Sequence, residues 1–263
     1  MSYANFEYSV REHIAWITIN RPQTYNALDL ASMKEFCDIA NRCGSDPGVR
    51  AVVITGAGAR AFCAGGDVAS FAENPATMDL LLKEVTGYFH MAISRLAWMD
   101  APVLAAVNGI AAGAGMSLAA ACDLAIAADN ASFTSAYTRI GLSPDGSSSY
   151  YLSRILGVRR TAELYLTNRT LSAAEALDWG LVNRVVPQSD LQAEVEKLAR
   201  QLAAGPTKAF GGAKKLLLMA LNDSLESQME REARQIIELS KTRDGLEGVR
   251  AFAEKRPPLF SGC

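Results

Sequence analysis

The stretch Asn108–Ala128, "NGIAAGAGMSLAAACDLAIAA", decides how the fold of this chain is interpreted. It is almost uncharged and rich in alanine and glycine, and its length would suffice to cross a bilayer. Asn108, Ser117 and Asp123 interrupt the apolar run, and such small side chains also suit a helix wedged tightly inside a protein. We therefore predict a turn, a buried helix beginning near Gly115 and a strand beginning near Asp123, and no membrane span.

The composition of the chain is that of a globular protein. Its 263 residues are 49% hydrophobic and 21% charged, and a net charge of −2 gives no reason to expect nucleic acid or anionic lipid as a partner. Five scattered cysteines without a CxxC pair, and only two histidines, predict neither a disulfide framework nor a metal site. The first residues lack the apolar core of a secretion signal, so we expect a cytoplasmic protein.

Strands and helices alternate in the first part of the chain, and only helices follow. Predicted strands lie at His13–Asn20, in "VRAVVITG" and in "PVLAAV", and predicted helices at Leu28–Cys43, with Asp29 as its cap, and at Thr77–Trp98. After Gly205 the spacing of apolar residues is helical throughout. The pattern predicts an α/β fold, with a core over residues 1–204 and a helical region over residues 205–263.

Two loops of small residues carry the candidate chemistry. "AFCAGGDV" and "NGIAAGAGMSLA" each follow a buried strand, and the second leads directly into a helix, whose first N–H groups lack partners within the helix. If the loops converge, one backbone N–H from each would form an oxyanion hole. Glycine-rich turns of this kind also serve plain packing, and the residues alone leave both interpretations open.

Several motifs together resemble one family along nearly the whole chain. The two loops, "ITINRPQTYNAL", "CDLAIAADNASFT", "LTNRTLSAAEALDWGLVNRVV" and "EGVRAFAEKRPPLF" are similar to the crotonase superfamily, the enoyl-CoA hydratase/isomerase group. The resemblance implies a spiral of ββα units, C-terminal helices that form a homotrimer or a dimer of trimers, and an acyl-CoA thioester as substrate. It implies no separate cofactor and no metal.

The resemblance also implies site residues. The oxyanion hole would use the N–H groups of Gly66 and Ala114, and Lys255 would lie near the CoA phosphates. Substrate-binding positions would further include Ala64, Gly65, Asp67, Val68, Ala27, Gly113, Tyr137 and His90.

The hydratases of the family carry two glutamates, and this chain has Ser117 and Tyr137 at those positions. Adding water to a double bond needs a base for the water and an acid for the carbon. The unperturbed pKa values of a hydroxyl and a phenol lie far above neutrality, so both are poor substitutes. We therefore disfavour hydration.

Asp145, in "GLSPDGSSSYYL", is the remaining carboxylate. The residues alone favour a turn in which Asp145, or a nearby serine, caps the helix predicted at Ser148–Leu156. Some isomerases of the superfamily, similar to epoxyphenylacetyl-CoA and Δ3,Δ2-enoyl-CoA isomerases, place an acid/base aspartate at the matching position. The resemblance thus favours an acyl-CoA isomerase in which Asp145 moves a proton between two carbons.

Two other functions stay open. The segment around Asp145 also resembles 4-chlorobenzoyl-CoA dehalogenase, in which an aspartate attacks an aromatic carbon and a histidine occupies the position of His90. That enzyme has tryptophan at the position of Tyr137 and a bulky aromatic at that of Gly66, and both departures count against it. A non-catalytic acyl-CoA-binding protein is the other alternative. We assign no role to Arg21, and we interpret Cys63 as a small buried filler.

Overall fold

The computed structural model of the chain describes residues 2–73 and 75–263, and its larger sheet has six strands. Their order is β1 (Phe6–Arg11), β2 (Ile14–Ile19), β3 (Ala51–Gly56), β5 (Val103–Val107), β7 (Leu124–Ala128) and β10 (Arg184–Val186). β1 pairs antiparallel with β2, and the remaining neighbours are parallel. The predicted strand at His13–Asn20 is present, and β1 precedes it as a strand that we did not predict.

A second, four-stranded sheet lies beside the first. It consists of β4 (Ala61–Cys63), β6 (Ile110–Ala112), β8 (Ser132–Thr134) and β9 (Thr170–Ser172). Along the chain, each long strand from β3 onwards is followed by a short strand of this sheet and then by a helix. This repetition is the expected spiral of ββα units.

The helices fall into two groups. Those of the spiral are α1 (Leu30–Ser45), α2 (Val68–Ala72), α3 (Met78–Trp98), α4 (Ala114–Ala121), α5 (Ser148–Ile155), α6 (Val158–Thr167), α7 (Ala173–Asp178) and α8 (Leu191–Ala203). The C-terminal group is α9 (Thr207–Met219), α10 (Leu225–Ser240) and α11 (Arg243–Ala253). Asp29 caps α1 as predicted, accepting a hydrogen bond from the Ser32 N–H at 2.8 Å.

The larger sheet is covered on both faces. Val52 and Ile54 face a core that includes α1 and α3, whereas Val53 faces α8 through Val195. Successive side chains of a strand point to opposite faces, so a strand buried on both sides is a continuous apolar run. This explains why "VRAVVITG" has no alternation of apolar and polar residues.

The stretch Asn108–Ala128 lies inside the protein. It forms β6, α4 and β7, and α4 is buried from Ala114 to Ala120. A Cβ atom at Gly115 would lie 2.0 Å from the carbonyl oxygen of Cys63, so only glycine allows α4 to pack this closely on β4. No helix of the described residues is long and apolar enough to span a membrane.

A buried lysine attaches the C-terminal helices to the spiral. Lys214 of α9 donates hydrogen bonds to the carbonyls of Leu96 and Ala101 and forms an ion pair with Asp123 at 2.7 Å. Its charge is therefore fully partnered although its side chain is only 7% exposed. Beyond this attachment, α9 to α11 present many exposed apolar side chains, including Leu217, Ile236, Val249 and Phe252.

Candidate active site

The two loops of small residues meet in the structure. Gly65 and Gly113 both have positive φ angles, +103° and +51°, which favour glycine. A Cβ atom at Gly65 would lie 2.9 Å from the carbonyl oxygen of Ala112 and 3.4 Å from the N of Ala114. The loops therefore touch backbone to backbone, and a side chain on Gly65 would separate them.

The backbone N–H groups of Gly66 and Ala114 are both left without a protein acceptor. Leu28 N–H donates to the Gly65 carbonyl at 2.8 Å, and because that peptide is trans, the N–H of Gly66 points away from Leu28. Ala114 is the first residue of α4, so no carbonyl of the helix precedes it to accept its N–H. Within residues 2–73 and 75–263, neither N–H has a hydrogen-bond partner. Both are available to a ligand oxygen.

A cavity of about 300 Å³ opens in front of these loops. Its walls come from both loops, from α2 and α3, and from the segment Ala136–Asp145. The lining residues are Met33, Ala64, Gly65, Gly66, Val68, Phe71, Leu82, Val85, Thr86, Gly113, Ala114, Ala136, Tyr137, Arg139, Ile140, Leu142, Ser143 and Asp145. Because most of these side chains are apolar, the cavity suits a ligand with an apolar group attached to a carbonyl.

Asp145, Tyr137 and Ser117 form a hydrogen-bonded cluster at the cavity wall. Tyr137 donates its hydroxyl to Oδ1 of Asp145 at 2.5 Å, and Ser117 Oγ lies 3.0 Å from the same hydroxyl. Ser117 Oγ also lies 3.1 Å from the backbone carbonyl of Asp145. Of the two positions at which the hydratases carry glutamates, Tyr137 thus contacts the carboxylate of Asp145 directly, and Ser117 contacts Tyr137 and the backbone of Asp145.

The phenol of Tyr137 stays protonated. Burial raises its pKa well above the ordinary value, and the charge of Asp145 and the hydrogen bond to it raise the pKa further. The hydroxyl is therefore a hydrogen-bond donor that fixes one carboxylate oxygen of Asp145. It is not an acid or a base for reactions near neutral pH.

The Asp145 side chain does not cap α5. Ser147 is the N-cap of this helix and makes no side-chain capping bond. Asp145 contributes only its backbone carbonyl, which accepts the Ser148 N–H at 3.1 Å. The capping alternative is wrong, and the carboxylate of this half-buried residue faces Tyr137.

His90 lies behind Asp145. It is exposed, and its Nε2 accepts the N–H of Gly146 at 3.0 Å, so one ring nitrogen is already used. With Asp145 it lines a second groove of about 570 Å³, between α3, α5 and α9.

Eight of the residues predicted for the site line the cavity: Ala64, Gly65, Gly66, Val68, Gly113, Ala114, Tyr137 and Asp145. Ala27, Asp67, His90 and Lys255 do not. Ala27 and Asp67 contact the side chain of Arg21, and Lys255 is an exposed residue just beyond α11. The roles of these four residues in binding CoA stay predictions.

Sequence reasoning missed Phe71. It lies on α2, a five-residue helix that the sequence does not predict, and a Cβ atom at Gly66 would lie 3.1 Å from its ring. An aromatic ring thus covers the cavity at Gly66, although Gly66 itself carries none. A short amphipathic helix after "AGGD" was the only available signal, and its length is too small for periodicity to be informative.

Cys63 lies beside the first loop but is not a nucleophile. It is fully buried, and burial raises the pKa of its thiol to about 12. Its sulfur accepts the N–H of Gly65 at 3.4 Å, which agrees with the predicted role of a small buried filler. Among the described residues, no three His, Cys, Asp or Glu side chains are grouped so that they could hold a metal ion.

Comparison with known proteins identifies the class that this fold and these loops define. The sequence profile described as "Enoyl-CoA hydratase/isomerase" matches residues 9–262, and the chain belongs to this family of the crotonase superfamily. A crystal structure of an enoyl-CoA hydratase from Polaromonas sp. JS666 superimposes with a TM-score of 0.92 at 34% identity, covering 97% of this chain and 99% of that one.

Relatives with different activities are similarly close. A protein of Rhodobacter capsulatus named probable enoyl-CoA hydratase is 40% identical over 100% of both chains. A 4-chlorobenzoyl coenzyme A dehalogenase of Arthrobacter sp. is 42% identical over 85% of this chain and 81% of its own. The 1,2-epoxyphenylacetyl-CoA isomerase of Escherichia coli is 34% identical over 96% of this chain and 97% of its own. Family membership therefore leaves the reaction to be argued from the site.

Proposed function

We propose that the protein is an acyl-CoA isomerase that shifts a double bond, or rearranges an enoyl-type thioester, by proton transfer through Asp145. The observation that carries this proposal is that one carboxylate and two residues with unpartnered backbone N–H groups line the same apolar cavity. A thioester carbonyl bound to those N–H groups would hold the acyl chain in the cavity, beside the carboxylate.

In this reaction one proton moves and no other reactant is consumed. A carboxylate oxygen of Asp145 takes a proton from a carbon adjacent to the double bond, and the C–H electron pair enters the conjugated system, giving an enolate. The N–H groups of Gly66 and Ala114 stabilise the negative oxygen. Asp145 then returns the proton to the far carbon of the enolate. Because Tyr137 donates to Oδ1, Oδ2 is the oxygen left for the proton.

Hydration fits this site less well. It needs two groups that exchange protons with water and with carbon, and only Asp145 among the clustered side chains is a carboxylate. Tyr137 has a raised pKa and donates a hydrogen bond to Asp145, and Ser117 is hydrogen-bonded to Tyr137. Neither side chain therefore serves as the second acid or base that hydration needs.

A nucleophilic reaction is the second candidate, favoured by two contacts. Tyr137 donates a hydrogen bond to Asp145, as a group that orients a nucleophile must, and Phe71 supplies an aromatic wall at Gly66. The sequence differs from the dehalogenase at Tyr137 and Gly66, and these two contacts make both differences weaker arguments against dehalogenation. In this reaction Asp145 would attack an aromatic carbon, chloride would leave, and water would hydrolyse the resulting aryl ester.

We expect the purified protein to convert 3-enoyl-CoA thioesters to 2-enoyl-CoA thioesters and to hydrate crotonyl-CoA poorly or not at all. The isomerisation creates the enoyl absorbance near 263 nm, and hydration destroys it, so one spectrophotometric assay separates the two. Hydration with kcat/KM of order 10⁶ M⁻¹s⁻¹ would overturn the proposal. Isomerisation without hydration supports it.

We further propose that the chain forms a homotrimer or a dimer of trimers through α9 to α11. Phe252 and Val249 are 88% and 74% exposed, more than large apolar side chains of an isolated protein usually are. Light scattering should return a multiple of three chains, and Phe252→Asp should lower the mass at micromolar concentration. Leu80→Asp, at an exposed residue of α3, is the control and should leave the mass unchanged. A monomeric wild-type protein would contradict this assembly.

A further inference from the structure

Arg21 is linked to the N–H of Gly66 by an unbroken series of hydrogen bonds through two peptide groups. Its Nη1 donates to the carbonyl of Ala27. The N–H of the same peptide, which belongs to Leu28, donates to the carbonyl of Gly65 at 2.8 Å. The N–H of that second peptide belongs to Gly66, a residue that lines the cavity, and it points away from Leu28.

This series transmits polarisation in one direction. A guanidinium that donates to a carbonyl draws electron density toward that oxygen and makes the N–H of the same peptide a stronger donor. Successive hydrogen bonds strengthen one another, by an estimated ~10–30% per bond. The cation at the start of the series therefore increases the donor strength of Gly66 at its end.

The same side chain also fixes the loop that carries Gly66 against the segment Ala27–Asp29. Its Nη2 lies 2.8 Å from Asp29 Oδ2 and 3.3 Å from Asp67 Oδ2. Asp29 directly follows Leu28, and Asp67 directly follows Gly66, so the guanidinium connects the segments that form the Leu28–Gly66 bridge. At 13% exposure, with these three partners, Arg21 is poorly placed to reach a CoA phosphate as well.

We propose that Arg21 is a positioning residue for the oxyanion hole, which orients and polarises the N–H of Gly66 through the Ala27–Leu28 and Gly65–Gly66 peptides. The inference rests on the oxyanion hole of the proposed function, but it holds for any reaction that passes through a thioester enolate. It gives a function to an arginine that the sequence alone left without one.

The test measures the bound thioester carbonyl directly. Crotonyl-CoA labelled with ¹³C at the carbonyl is added to the Asp145→Asn protein, in which turnover should be ~10²–10⁴-fold slower, and its infrared carbonyl band is compared with that of the free ligand. We expect a shift to lower wavenumber, and we expect Arg21→Gln in the same background to reduce the shift by roughly a third. With Asp145 intact, Arg21→Gln should lower kcat about tenfold and leave KM nearly unchanged, because the N–H is weakened and not removed.

Two variants separate this effect from a loss of folding. Arg21→Lys keeps a charge and one donor, so its band should lie between the band of the protein that retains Arg21 and the band of the Arg21→Gln variant. Arg169 is the control, because it also bridges two carboxylates, those of Glu163 and Glu175, but contacts neither the segment Ala27–Asp29 nor the loop that carries Gly66. Arg169→Gln should change neither the position of the carbonyl band nor kcat.

The outcomes distinguish the two proposals. A band that shifts on binding but does not respond to Arg21→Gln overturns the positioning role of Arg21 and leaves the oxyanion hole intact. A band that does not shift on binding, even with Arg21 present, overturns both.

Discussion

Replacing Ala114 with proline is expected to lower kcat by ~10²–10³-fold, a loss of ~3–4 kcal/mol of transition-state stabilisation, while the protein remains folded. Proline removes the N–H that we assign to the oxyanion hole, and that N–H has no acceptor in the protein to lose. The position tolerates proline because Ala114 is the first residue of α4. Gly113 precedes it and has no Cβ atom to clash with the proline ring.

Ala114→Gly is the matched control. It keeps the N–H and changes the side chain by one methyl group, so its kcat should stay within a few-fold of the parent protein. Circular dichroism and the thermal midpoint of both variants report the fold. If the proline and glycine variants are equally active, the N–H of Ala114 does not stabilise the transition state.

The larger elements of the fold were predictable because they carry periodic or continuous apolar patterns. α1, with its Asp29 cap, and α3 lie within two residues of their predicted bounds. The buried nature of Asn108–Ala128 followed from its small and polar residues, and Gly115 against Cys63 gives the packing reason. The strands of the smaller sheet have three residues each, too few to show alternation. Only β8 was predicted, as a strand at Ser132–Ser135, and β4, β6 and β9 were missed.

The candidate site was predictable only in part. The two glycine loops were visible in the sequence, but their contact depends on the parallel pairing of β4 with β6, which brings together residues some 50 positions apart. For Asp145 the residues alone favoured a helix cap and the family resemblance favoured an acid/base; the structure shows a hydrogen bond with Tyr137 and no side-chain cap on α5. Phe71 and the link from Arg21 to Gly66 are tertiary contacts between loops, for which a single sequence carries no periodic signal.

The structure also changes the weight of the alternatives. A Tyr137 phenol that donates to Asp145 fixes this carboxylate for any reaction in which it takes part. The same contact serves a base that removes a proton and a nucleophile that attacks carbon. The geometry therefore supports Asp145 as the reacting group of the proposed function more strongly than it supports one of the two reactions over the other.

Asp145→Asn is expected to reduce turnover by ~10²–10⁴-fold, the usual contribution of a positioned acid or base, with little change in stability or in the affinity for CoA thioesters. Asparagine has nearly the same size, and its amide oxygen still accepts the hydrogen bond from Tyr137. The backbone carbonyl that accepts the Ser148 N–H is unchanged, so α5 keeps its start. Asp129→Asn, at a carboxylate outside the cavity that accepts the Gln188 N–H, is the control and should retain full activity.

Two measurements, deuterium exchange and trapping of a covalent intermediate, distinguish a role of Asp145 as a base from a role as a nucleophile. In D₂O, a base exchanges deuterium into the α- or γ-carbon of an enoyl-CoA, and the asparagine variant should lose this exchange together with turnover. A nucleophile instead forms a covalent aryl ester, which rapid quenching with 4-chlorobenzoyl-CoA would trap as a mass increase on the peptide that contains Asp145. We expect exchange and no adduct, because a carboxylate and two N–H donors on residues that line one cavity suffice for forming and stabilising an enolate. Equal deuterium exchange in the parent protein and the Asp145→Asn variant would refute the assignment of Asp145 as the base. A covalent adduct would show that Asp145 is a nucleophile instead.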